Sequence, residues 1–317
     1  MRVRLGQCAI EAGEDAMNTQ SIPNLTTFMT APDTVVAANA PATAIYMPGG
    51  TRRRAVLEGV SLGSDYLSWT RAQIVPTAAL FFRLGVQHLF FPLVGQRQTE
   101  ETTFYGDRLV TWIKQGLGSA EMLEEYRRQG WRVRMIVLPS LPALADVATS
   151  IQQATAEAEG PTLWLYMVFE YAAYFREIIG LIQQTGVHSQ QEAIRAFYGV
   201  DVPPASLYIG FGKLTVGTAI IPPFLLGDNL HCYWTQRAGF SITEAMLRRI
   251  IYDYAYTRPT WSSDHSARYN DVAQDRELWD TEAVIGTGAR IGGFWYPDSV
   301  IGATQQRSVG ETSEEIS

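Results

Sequence analysis

Thr43-Ala44-Ile45-Tyr46-Met47-Pro48-Gly49-Gly50-Thr51-Arg52-Arg53-Arg54 changes character abruptly at its centre. The apolar run Thr43–Met47 has the length and composition of a buried strand. Pro48 and two glycines halt it, and a helical segment, Ala55–Glu58, follows the three arginines. Adjacent glycines let the backbone turn sharply and approach a ligand closely. The amides that follow open a helix whose positive end attracts anions. Thr51 can cap that helix or donate to a phosphate oxygen, and Arg52 and Arg53 offer planar forks suited to phosphate. The turn is not a Walker loop, because the spacing and the Lys-Ser/Thr ending are absent. Gly-Gly-Thr is a common turn, so on its own the segment marks where an anion fits, not which one.

Outward from this turn, apolar runs of strand length alternate with helical patterns. The strands are expected at Thr43–Met47, His88–Val94, Arg132–Leu138, Leu163–Phe169, Ser206–Phe211 and Leu230–Trp234. Helices are expected at Ser64–Leu84, Thr103–Gly116, Ala120–Gln129, Tyr171–Gln184, Ser189–Tyr198 and Thr243–Tyr256, with a short one near Ile22–Met29. Such alternation with near-continuous apolar strands predicts an α/β fold: one domain with a central, mostly parallel six-stranded sheet flanked by helices. In these sheets ligands bind beyond the C-terminal strand ends, so the loops after Met47, Val94, Leu138, Phe169, Phe211 and Trp234 are the places to search. We place an N-terminal arm at 1–35, the domain at 36–297, and an acidic disordered tail at 298–317.

Composition narrows the function. The net charge of −7 argues against general nucleic-acid binding, although arginines cluster at Arg52–Arg54, Arg127–Arg128 and Arg248–Arg249. No run of about 18 apolar residues appears, so no membrane span is expected. The segment 77–94 comes closest but is interrupted by Arg83, Gln87 and His88. The first residues lack the apolar stretch of a secretory signal. Cys8 and Cys232 make neither a disulfide framework nor a zinc spacing, which fits a reducing cytoplasm, and the four histidines show no metal-ligand pattern.

Ile45-Tyr46-Met47-Pro48-Gly49-Gly50-Thr51-Arg52-Arg53 resembles the first motif of the cis-prenyltransferases, the undecaprenyl diphosphate synthase-like superfamily, and is more similar still to its diterpenoid members. The similarity continues in order through Leu57-Glu58, Asp65-Tyr66, Gly106-Asp107-Arg108 and Tyr208-Ile209-Gly210-Phe211-Gly212-Lys213. It then runs through Leu247-Arg248-Arg249-Ile250 to Gly293-Phe294-Trp295. Several separated motifs in one order are far more specific than any alone.

The resemblance implies a prenyl diphosphate substrate, a homodimer, and a diphosphate held by Gly49, Gly50, Thr51, Arg52 and Arg53, with Lys213 as a further phosphate partner and Arg290, in Arg290-Ile291-Gly292, reaching across the dimer toward the partner subunit's diphosphate. It implies catalytic roles for Tyr66, Arg53 and Asp107. The prenyl tail is expected along Phe81, Phe82, Phe91, Phe169 and Tyr171, where aromatic faces can stabilise a carbocation. The departure is equally informative. Where the family places an Asp that holds Mg²⁺ and diphosphate, this chain has Pro48 or Gly49, neither of which binds a metal through its side chain. Asp107 and Glu58, with Asp65 behind them, are the remaining candidates for Mg²⁺. The Arg-Thr-x-Gly-Glu-x-Arg motif for a second prenyl substrate is also absent. Two readings follow. One is an enzyme that ionises an allylic C15–C20 diphosphate and quenches the cation with water, by deprotonation or cyclisation, or with a bound nucleophile. The other is a degenerate partner subunit or isoprenoid-binding protein of the same fold.

Overall fold

The computed structural model describes residues 22–94, 105–137, 142–167, 170–215, 221–257 and 284–302; at 105–109, 142 and 228 only the backbone is described. Its centre is a six-stranded sheet of β1 (Thr43–Tyr46), β2 (His88–Val94), β3 (Arg132–Ile136), β4 (Thr162–Met167), β5 (Ala205–Phe211) and β6 (Leu226–Thr235). The order is β3-β4-β2-β1-β5-β6, and every neighbouring pair is parallel. The helices are α1 (Leu25–Met29), α2 (Asp33–Ala37), α3 (Thr51–Leu57), α4 (Ser64–Arg83), α5 (Tyr105–Leu117), α6 (Ala120–Gln129), α7 (Ala145–Ala154), α8 (Tyr171–Thr185), α9 (Gln190–Tyr198) and α10 (Glu244–Tyr252). An antiparallel hairpin of β7 (Gly288–Ile291) and β8 (Phe294–Pro297) follows. Among the described residues no helix is long and apolar enough to cross a membrane.

The strands are apolar at consecutive positions because both faces of the sheet are covered. Register keeps the two faces distinct: Ala44 lies beside Leu89 and Leu207, whereas Ile45 lies beside Phe90 and Tyr208. One face, with Ala44, Tyr46, Leu89, Phe91, Leu165 and Ile209, packs against Ile74, Ala78 and Phe81 of α4 and Leu247 and Ile251 of α10. The other, with Ile45, Phe90, Trp164 and Tyr208, packs against Ile194 and Tyr198 of α9.

The six strands and the helices α4, α5, α6, α8 and α9 fall within a few residues of the expected bounds. β6 starts earlier than expected, at Leu226, and α10 gives way at Asp253–Thr257 to a wider, π-type turn. α7 was not anticipated, since Ala-Asp-Val-Ala-Thr-Ser-Ile-Gln-Gln-Ala has a weak apolar pattern and buries only Ile151 fully. The described part of the N-terminal segment is tied to the core. Phe28 and Val36 are buried in it, and the buried guanidinium of Arg248 joins Asp33, Glu244 (2.7 Å) and the Ala31 carbonyl (2.8 Å). Residues 298–302 are helical, and the rest of the expected tail lies outside the described residues.

His88 gives the fold a pH dependence. Its Nδ1 accepts the Trp164 indole N–H at 3.3 Å, which requires a neutral ring at that nitrogen. Burial, helped by the charge of Arg132, lowers its pKa to about 4. An unfolded histidine titrates near ~6.5. The unfolded chain therefore takes up a proton that the folded chain refuses, and stability present above pH ~6.5 is lost as pH falls toward about 4. Denaturant titrations at pH 7 and 4.5 should show a loss of about 2 kcal/mol from this group. His88→Gln should lose less over the same interval; equal losses would remove the role given to His88.

Candidate active site

β1 has β2 on one side and β5 on the other, so the connections leaving its C-terminal end diverge from those of β5. A crevice at such a reversal is where open parallel sheets bind ligands. The Met47–Thr51 turn lies there. The Gly49 amide donates to the Met47 carbonyl (2.8 Å), and Gly50 takes a left-handed φ of 72° before α3 begins. Phe211, the last residue of β5, lies against both glycines. A Cβ on Gly49 would meet its Cδ1 at 2.7 Å, and one on Gly50 its Cε1 at 3.0 Å. The Gly49 carbonyl accepts the Gly239 amide (2.7 Å) from the loop after β6. The turn after β1 thus meets the end of β5 and the loop after β6. Since α3 is only seven residues long, the positive character here comes from guanidinium groups more than from a helix dipole.

Behind the turn, Thr51 Oγ1 and the Tyr66 hydroxyl form a 2.6 Å hydrogen bond. Tyr66 is buried at the start of α4. Its ring stacks on Trp69 (6.0 Å, 19°) and meets Trp112 edge-on (6.4 Å). Ring contacts continue from Trp69 to Phe240, from Phe240 to Phe91, from Phe91 to Tyr46, and from Tyr46 to Phe81. An aromatic wall therefore runs from the Thr51 hydroxyl into the core. The Tyr46 hydroxyl donates to the Gly239 carbonyl (3.0 Å), and burial holds this phenol well above the ordinary range, so it stays protonated.

In front of the turn, the Arg53 guanidinium carbon lies 5.0 Å from the centre of the Phe211 ring and 4.5 Å from that of Phe294 on β8. Arg54 is turned away and pairs with Glu58 at 2.6 Å. Trp69 donates its indole N–H to the other Glu58 oxygen, also at 2.6 Å. The Trp69 bond, then Arg54, holds the Glu58 carboxyl below the usual carboxylate range.

No protein-family model matches the chain. It is 14% identical to lavandulyl diphosphate synthase from Lavandula x intermedia, solved in complex with dimethylallyl diphosphate, with a TM-score of 0.55 over 69% of this chain and 97% of that one. It is 24% identical to tuberculosinyl adenosine transferase of Mycobacterium tuberculosis over 83% of this chain and 93% of the relative. It is 38% identical to (+)-kolavelool synthase of Herpetosiphon aurantiacus over 279 residues, which are 87% of this chain and 96% of the relative. The chain belongs to the cis-prenyltransferase-like superfamily.

In this superfamily member, the structure gathers Gly49, Gly50, Thr51, Arg53 and Tyr66 around one turn. Arg52 follows Thr51 on α3 and is half-buried. Lys213 is exposed in the loop directly after Phe211, at the same end of the sheet. Arg290 is exposed on β7, opposite Trp295 in the hairpin whose Phe294 reaches Arg53. Asp107 belongs to α5, and its side chain lies outside the described residues, as does Phe169 entirely. Phe81 and Phe91 are fully buried in the aromatic wall. Phe82, one helical step from Phe81, faces elsewhere: its ring packs on Trp131 (5.0 Å) and lines a hollow of about 600 Å³ with Pro76, Arg83 and Pro161. Trp131 and Pro161 precede β3 and β4, so that hollow is at the opposite end of the sheet from the turn. Tyr171 is exposed at the start of α8.

Trp69, Trp112 and Phe240 carry no motif in the sequence, and the ring partners of Arg53, Phe211 and Phe294, stand there only inside motifs of the resemblance with no role assigned to them. Trp69 follows Tyr66 by one helical turn, a spacing that points to a shared face.

The described donors do not fit a divalent cation at the turn. Pro48 and Gly49 offer no side-chain oxygen, both Glu58 oxygens are engaged, and Asp65 accepts from Ser61 (2.7 Å) and Ser64 (3.4 Å). Among the described residues no group of three His, Cys, Asp or Glu side chains could hold a metal.

Proposed function

We propose that this chain is an isoprenoid diphosphate enzyme, a terpene synthase or prenyltransferase that ionises an allylic C15–C20 prenyl diphosphate. The observation that carries the reading is Arg53, packed on two aromatic rings beside the Thr51–Tyr66 hydrogen bond at the β1/β5 crevice. The allylic C–O bond breaks heterolytically. Its electron pair leaves with the diphosphate, and Arg53, Arg52 and Lys213 stabilise the charge that develops there. The allylic cation is left facing Tyr66, Trp69 and Trp112, whose π faces stabilise positive charge. Water, deprotonation with or without cyclisation, or a bound nucleophile then quenches it. That one relative is an adenosine transferase supports a bound nucleophile as one of these outcomes. We further propose that it works in the cytoplasm as a homodimer; the exposed apolar row Tyr171, Phe175, Ile179 and Ile182 along α8 supports a protein partner.

A second reading, a non-catalytic subunit, is favoured by one observation: the family's Asp is replaced by Pro48 or Gly49. The two separate in one assay. The purified protein is incubated with farnesyl or geranylgeranyl diphosphate, with and without Mg²⁺, and pyrophosphate release and the organic products are measured. Release with at least one donor is expected. No release with either, together with activation of a co-purified homologue, would establish the subunit instead.

A further inference from the structure

We infer that Glu58 is a positioning residue for the ionisation step: its carboxylate fixes and polarises the Trp69 indole, so that the ring faces the allylic cation. The inference rests on the reading of the turn and its aromatic wall as the site of ionisation. Glu58 closes α3. Its amide donates to the carbonyls of Arg54 and Ala55 (3.1 Å each), and the Val60 amide returns to Ala55 (2.9 Å), so the carboxylate leaves from a fixed backbone. One of its oxygens takes the Arg54 Nε–H and the other the Trp69 indole N–H, both at 2.6 Å. Trp69 lies one helical turn beyond Tyr66 and stacks on it, and Tyr66 meets Thr51 at the start of α3. Both ends of α3 are thereby tied to one face of α4, one through Thr51 and Tyr66, the other through Glu58 and Trp69.

A surface ion pair between Glu58 and Arg54 would by itself contribute little. The bond to the indole has a chemical consequence. A ring stabilises a cation through its face, so the setting of its plane decides whether it does so. Stacking on Tyr66 leaves the Trp69 ring free to slide within that plane, and the bond at Nε1 removes this freedom. The carboxylate also draws the indole proton toward itself, which leaves the π system richer in electrons and more attractive to positive charge. The Trp69 bond, then Arg54, holds the carboxyl below the usual range, so Glu58 is ionised at neutral pH.

The test is steady-state pyrophosphate release by the full chain from farnesyl or geranylgeranyl diphosphate. Glu58→Ala should lower kcat about tenfold with KM within about twofold of wild type, because other groups hold the diphosphate. Glu58→Gln keeps an acceptor for the indole and should stay within about threefold of wild type. Arg54→Ala keeps the bond between Glu58 and Trp69 and should also stay within about threefold. Trp69→Phe removes the donor, and adding Glu58→Ala to it should lower kcat by less than about twofold more. A Glu58→Ala rate equal to wild type, or full additivity with Trp69→Phe, overturns the positioning role and leaves the site reading standing. Equal losses in Arg54→Ala and Glu58→Ala mean that the ion pair only braces α3, and overturn it too. No release by wild type from either donor overturns the site reading and takes the inference with it.

Discussion

Arg53→Ala is expected to lower pyrophosphate release by at least about 100-fold, with the fold intact. Removing one preorganised charge donor from a developing oxyanion costs roughly 3 kcal/mol of transition-state stabilisation. Arg53 suits that role better than its neighbours. Arg54 spends its charge on Glu58, whose carboxylate is also held by Trp69. Arg52 is half-buried. Arg53 is exposed and packed on Phe211 and Phe294. Because it fills no core position, its loss should move the melting temperature little. Arg53→Lys should recover only part of the rate, since an ammonium supplies charge without the planar fork or the ring contact. Steady-state pyrophosphate release checks both variants. A rate within threefold of wild type in Arg53→Ala would take away the phosphate role of this turn.

The reasons that the role of Arg53 was legible in the sequence, and the packing of Phe211 and Phe294 on it was not, are physical. A strand that ends in Pro-Gly-Gly-Thr-Arg-Arg carries its meaning locally, as do six apolar runs separated by helical patterns. The order in which those strands lie is not local, and β1 became a crevice wall only because β2 and β5 flank it. Phe211 packs on Gly49 and Gly50 across that order, and Phe294 arrives from a hairpin near the end of the domain. Neither contact leaves a trace in periodicity.

Aromatic content was equally legible, but its direction was not. Phe81 and Phe82 are adjacent on α4, and a helix turns about 100° per residue, so one enters the aromatic wall and the other reaches Trp131. Glu58 illustrates the same limit for charge. As a sequence it is a free carboxylate near a phosphate turn, and a candidate for a metal. In the fold both its oxygens are engaged, one by an indole from the next helix. α7 was not legible because its apolar stripe is narrow, Val147, Ala148 and Ile151 among polar residues, and the hairpin was not because none of its strand residues is buried.

Gly49→Ala should be nearly as damaging to turnover as loss of Arg53, for a different reason. Gly50 takes the left-handed φ of the turn, and Gly49 is not among the glycines with positive φ, so its backbone is open to alanine. The obstacle is the space that alanine needs. A methyl group there would sit 2.7 Å from Phe211 Cδ1 and 2.9 Å from Phe211 Cβ, closer than carbon atoms approach. Either the Phe211 ring tips, which removes the surface Arg53 packs on, or the turn opens and carries Thr51 away from Tyr66. Overpacking of this kind costs about 1–3 kcal/mol of stability. Both movements displace the groups that would meet the diphosphate, so release should fall at least about 30-fold on top of a modest loss in melting temperature. Gly59→Ala is the matched comparison. Gly59 has a left-handed φ of 75° but nothing within 4 Å of an added Cβ, so it bears conformational strain without crowding. It should lose roughly 1 kcal/mol of stability and keep its rate within twofold. If Gly49→Ala turned over like Gly59→Ala, the close fit of Phe211 beneath the turn would have no part in the chemistry.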